Sequence, residues 1–142
     1  MILPDKDAVL AACRGFPGRH PMLIAARDLS VWHERERFAT GPLGTNEMLA
    51  QRSHLRLQID RWVALRMPTP FERTRIHTEG MGRVVDRLAM RTIQVRALLP
   101  YPASGAVRDA ISALVELSEA YQDLADEVAA GLCRLPTGYD PW

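Results

Sequence analysis

Apolar residues recur along this chain at three- and four-residue intervals, the period of an α-helix, and no run of alternating β-branched and aromatic residues announces a strand. The first long segment opens at Pro21, suited to the first turn of a helix, and runs to about Ala39. Its inner stripe is Met22, Ala26, Leu29 and His33. The breaker Thr40-Gly41-Pro42-Leu43-Gly44 ends it. A second segment, near 46–66 with Thr45 or Asn46 as N-cap, turns Met48, Arg52, Leu55, Ile59, Trp62 and Val63 inward and sets His54 on its far side. Met67-Pro68-Thr69-Pro70 stops it, and a loop leads to His77. A third helix, capped by Thr78 and spanning 78–99, carries Met81, Val84, Val85, Leu88, Thr92, Val95 and Leu99. After Pro100-Tyr101-Pro102 a fourth, spanning 104–134, lines up Val107, Ala110, Ile111, Leu114, Leu117, Ser118, Tyr121, Ala125, Val128 and Leu132. Its opposite face is acidic: Glu116, Glu119, Asp123, Asp126 and Glu127. A short helix from about Asp7 to Arg14 precedes all four. The pattern predicts an all-α, antiparallel four-helix bundle with a short extra N-terminal helix and no sheet. One domain takes up 1–142, with a core over 5–134 and a tail over 135–142.

Composition bounds the rest. A chain of 142 residues, 47% of them hydrophobic, can bury roughly 68–70% of its unfolded surface and needs no staple. Cys13 and Cys133 lie near opposite ends without metal-like spacing, and read as free thiols. The start lacks a basic stretch followed by an apolar run, and no stretch of ~18 apolar residues occurs; the expected location is the cytoplasm, with no membrane contact. Residues 1–100 hold 16 Lys/Arg against 10 Asp/Glu, and residues 101–142 hold 2 against 7. A basic body can read as a nucleic-acid face. With aromatics at only 6%, the reading is a solvated surface with internal pairing, and no nucleic-acid partner is expected.

Charged or titratable groups on an apolar stripe carry the chemical information, because burying them is costly unless they are paired. His33, with Glu36 and Arg37 one turn on, Arg52 and Tyr121 are such groups. They can form a buried cluster that fixes helix register, or line a pocket. His33 and Tyr121 are expected to be buried. A di-iron bundle requires Glu-x-x-His on two helices; no Glu here precedes a His by three, and neither a metal nor a cofactor is expected. The acids around Glu116 and Asp123 are similar to those of Mg²⁺-dependent helical nucleotide pyrophosphatases, but they point off the stripe and lack a second motif. In the third helix Gly80 and Gly82 cost about 1 kcal/mol each relative to alanine and permit close approach of a backbone or ligand. Glu79 and Asp86 share a face with Gly82, Met90 and Ile93, which makes a second contact surface, for a neighbouring helix or a dimer.

Three blocks resemble a bacterial family, the domain-of-unknown-function family four-two-five-four, in its short actinobacterial form. They are Leu29-Ser30-Val31-Trp32-His33-Glu34-Arg35-Glu36-Arg37, Gln58-Ile59-Asp60-Arg61-Trp62 and Thr78-Glu79-Gly80-Met81-Gly82-Arg83-Val84-Val85-Asp86-Arg87-Leu88. The stretch from Ala120 to Val128, with Gly131, is similar too. Where many members carry adjacent Glu and Asp after the Trp, this chain has Glu34 and Glu36 around Arg35. The resemblance implies an all-helical cytoplasmic protein and supplies no activity.

The leading expectation is a non-catalytic helical bundle acting through association, as a homodimer or as an accessory subunit of an enzyme. Its partner is then a second copy or another protein. The alternative is a small enzyme or ligand-binding protein with a polar inter-helix pocket centred on His33. Catalytic candidates are His33, Glu36, Asp60, Glu79 and Asp86, with Arg37, Arg52, Tyr121 and His77 holding an anionic small molecule.

Overall fold

The computed structural model describes residues 3–38, 45–71 and 73–136. Among them the order is α1 (Lys6–Cys13), α2 (Pro21–Phe38), α3 (Thr45–Arg66), β1 (Arg75–Ile76), α4 (Met81–Leu98), α5 (Gly105–Ala129) and β2 (Cys133–Arg134). The protein is mostly helical, as its periodicity predicts. The expected breaker at 40–44 lies outside the described residues, and α3 already includes Thr45 and Asn46, so neither is its N-cap.

Local chemistry sets the ends. Asp5 caps α1 by accepting from the Ala8 N–H at 2.8 Å. At the other end of the chain, Gly131 takes a φ of 73°, open to glycine without a Cβ penalty. Its N–H then reaches Val128 O (3.1 Å) and that of Leu132 reaches Glu127 O (2.9 Å), the two bonds of a Schellman motif. The fourth long helix therefore stops at Ala129 rather than at residue 134.

Beyond that turn the chain runs into a small parallel sheet, which corrects the expectation of none. Arg75 pairs with Cys133 and Ile76 with Arg134. Two residues per strand are too few to show any alternation. The pairing also moves the start of α4: the His77 N–H donates to Arg134 O at 2.8 Å, so the backbone stays extended past His77. Gly80, not Thr78, is the N-cap, and it makes no side-chain cap bond.

Helix α4 lies at the centre, packed against α1, α2, α3 and α5, while α2 and α3 also pack on each other and α5 rests on α4, α1 and β2. The stripe of α2 is buried throughout, and Met22, Leu29, Ile59, Met81, Leu88 and Tyr121 are fully enclosed. Two expectations fail. The apolar stripe of α5 is buried only from Ser118 to Val128; Ile111 is 41% exposed, and Leu132, past the end of the helix, 58%. Conversely, the second surface of α4 is not open to a partner. Ile93 is 2% exposed, and a Cβ on Gly82 would lie 2.3 Å from the Arg56 carbonyl oxygen. The close approach that Gly82 allows is to the backbone of α3.

Candidate functional site

Asp86 lies one turn after Gly82, on the face of α4 drawn against α3, and is only 2% exposed. A carboxylate so placed needs compensation from its neighbours. Three side chains supply it. His33 on α2 meets Oδ1 through Nε2 at 2.6 Å. Arg52 and Arg56, one turn apart on α3 and therefore on one side of it, donate their Nε–H groups to Oδ2 at 2.8 and 2.7 Å. Burial alone would raise the carboxyl pKa of Asp86. The His33 hydrogen bond and the nearby charges of Arg52, His33 and Arg56 outweigh it and hold the pKa below its ordinary value.

That ionisation fixes the imidazole. A carboxylate can only accept, so the hydrogen between the two sits on His33 Nε2, and in the neutral ring Nδ1 is the acceptor. Nδ1 points toward Glu36, 3.8 Å from its Oε2. The neighbouring Trp32 holds Arg52: the guanidinium carbon stands 4.9 Å from the centroid of the indole, a cation–π distance. Trp32 is itself tied to α3 by its Nε1–H donating to Met48 O at 2.7 Å.

His33, Glu36, Arg37, Arg52, Met90, Ile93 and Gln94 surround a cleft of about 350 Å³. A larger pocket of about 440 Å³ runs beside α3 and contains Arg56, Asp60, Glu79, Gly80 and Arg83 in its wall. Asp60 accepts from the Gly82 N–H at 2.8 Å. Its pKa is raised, because burial outweighs that hydrogen bond and the charges of Arg83 and Arg56.

The structure thus gathers four of the expected residues, His33, Glu36, Arg37 and Arg52, around one cleft, with Asp86 behind them rather than at a mouth. It does not bring Asp60 or Glu79 there. Both line the other pocket, and Glu79 is paired with Arg87. Tyr121 and His77 line neither. The Tyr121 hydroxyl donates to Pro4 O at 2.7 Å, tying α5 to the N-terminal segment, and burial raises its pKa first of all. His77 Nδ1 accepts from the Glu79 N–H at 3.3 Å within the turn before α4. The residue missed by reading the sequence is Arg56, four after Arg52 on the same helical face; that spacing was its only signal. Among the described residues, no group of three or more His, Cys, Asp or Glu side chains could hold a metal ion, and no helix is long and apolar enough to cross a membrane.

No family model matches the chain, and no curated protein or solved structure matches it either.

Proposed function

We propose that the protein binds a small anionic molecule in the His33 cleft and that His33, oriented by Asp86, moves a proton to or from it. The carrying observation is the pairing of a buried, ionised Asp86 with His33 Nε2 at 2.6 Å while the other ring nitrogen is left toward the cleft wall. A buried carboxylate that fixes the tautomer of an imidazole is the arrangement of a general base. Charge supports an anion as the guest: Arg37 and Arg52 outnumber Glu36 among the lining residues, and Arg52 is held in place by Trp32 and Asp86. Met90 and Ile93 give the cleft an apolar side. In the same reading the four long helices form an antiparallel bundle, and the chain is a cytoplasmic relative of the family that its three blocks resemble.

The test follows the imidazole nitrogens of His33 and Nε of Arg52 by NMR as inorganic phosphate, and separately succinate, is added. Saturable shifts at both residues are expected, with exposed His54 unmoved and Arg52→Gln weakening binding about tenfold or more. Shifts that never saturate, or that His54 shares, would remove the proposal.

Association is the second reading, now moved to a different surface. The first half of α5 leaves Ile111 41% and Val115 48% exposed, and the loop that leads into it leaves Leu99 55% and Tyr101 66% exposed. Such an apolar patch marks a contact site. Its occupant in this reading is a second copy, whose basic body complements the acidic outer face of α5.

A further inference from the structure

The larger pocket is long and changes character along its length. Ser53, Arg56, Asp60 and Val63 line it from α3, with Met67 just past its end, at spacings that keep the helical residues on one face. From Ser53 to Val63 the helix advances about 15 Å. At one end the wall is polar, with Arg56 and Asp60 on α3 and Arg83 on α4. At the other it is apolar, with Val63 and Met67 joined by Val128 and Leu135.

We propose that this pocket binds a compact amphiphilic anion, an apolar chain ending in a carboxylate, laid along α3 with its head between Arg56 and Arg83. A volume of about 440 Å³ lies within the usual range of small-molecule sites. Guanidiniums exceed carboxylates in the wall, Arg56, Arg61 and Arg83 against Asp60 and Glu79; Glu79 is paired with Arg87, and Arg56 also donates to Asp86. Each guanidinium carries five N–H donors, more than one carboxylate can take up. An inorganic anion would leave the apolar end wet, and an uncharged lipid would bring no charge to the cationic end. Only a molecule with both characters matches the whole length. The pocket shares no lining residue with the His33 cleft; the two are joined through Arg56, which also donates to Asp86, and the variants below therefore leave Arg56 in place.

Octanoate, titrated into the full chain and followed through the methyl signals of Met67, Val128 and Leu135, is the probe, with octanol and inorganic phosphate as controls. Octanoate is expected to shift all three, with both controls weaker by about tenfold or more. Arg83→Gln should cost octanoate a similar factor. Should that variant fail to fold, Leu135→Gln at the apolar end should weaken octanoate to the same degree. Octanol binding as tightly as octanoate would overturn the proposal. So would affinity unchanged in the variant that folds, shifts at Met90 and Ile93 instead, or no shift.

Discussion

The carboxylate of Asp86 faces two guanidiniums and an imidazole, so Asp86→Asn keeps its shape and removes the charge that all three share. Breaking a buried ionic group on one side typically costs about 3–5 kcal/mol. The loss should depend on pH. The folded-state pKa of Asp86 lies below its ordinary value, so its contribution is complete above ~3.9, where the unfolded side chain titrates, and disappears as pH falls through the lower folded value. Urea melts should find Asp86→Asn far more damaging at about pH 7 than near the folded pKa; equal losses would show that the charge does not matter. Asp60 has the opposite sign. Its raised pKa means that folding is penalised increasingly as pH rises from ~3.9 through the folded value. Asp60→Asn retains an oxygen for the Gly82 N–H, and its stability relative to the wild type should rise over that interval. Burial pushes the Cys13 thiol up to about 12, so it should resist Ellman's reagent in the native protein and react once guanidinium unfolds the chain. His33, Arg52 and Asp86 stood out in the sequence because each breaks an apolar stripe. That all three meet was not legible: periodicity assigns a residue to a face, and says nothing of how far along the neighbouring helix its partner lies.

Between elements, α3 and α4 approach each other closely at Gly82. A methyl group there would meet the Arg56 carbonyl oxygen at 2.3 Å, whereas one at Gly80 would meet the Asp60 carboxylate at 2.7 Å. A backbone carbonyl cannot rotate aside as a side chain can. Gly82→Ala should therefore lower the melting temperature well beyond Gly80→Ala, by an overpacking cost of about 1–3 kcal/mol or more. Helix α5 offers a second comparison. Leu124 is 7% exposed and Ile111 41%; Leu124→Ala should cost about 2–5 kcal/mol, Ile111→Ala less than about 1 kcal/mol. Equal costs in denaturant melts would place the first half of α5 under cover. The helices themselves were legible because Pro21, the paired prolines at 68 and 70 and the Pro100-Tyr101-Pro102 stop mark their limits. The start of α4 and the end of α5 were not. The first is set by β1 meeting β2, a contact between segments distant in the chain; the second by a left-handed turn at Gly131 that the apolar spacing through Leu132 runs straight past.

At the scale of the whole molecule, the question is which apolar surface remains for a partner. Met90 and Ile93 looked like an outer patch from their spacing, yet Ile93 is 2% exposed, covered within this same chain. Periodicity identifies a face that needs covering; it cannot tell an intramolecular neighbour from a second copy. With that patch closed, Ile93→Arg would test the core, and Ile111→Arg tests association. Light scattering at micromolar concentration should show a wild-type dimer that Ile111→Arg converts to monomer. A monomeric wild type would end the association reading. The parallel pair of β1 with β2 bears on how the molecule assembles over time. Arg75 can meet Cys133 only when α4 and α5 have both folded back between them, and closing so long a loop loses chain entropy before two residue pairs can offset it. The pair therefore forms after the helices dock. Interactions absent from the transition state slow unfolding without hastening folding. In stopped-flow measurements His77→Pro, which removes the N–H bonded to Arg134 O, should raise the unfolding rate and leave the folding rate nearly unchanged. The strand pair then acts as a latch closed last, governing how long the native state survives and leaving the speed of its formation to the helices.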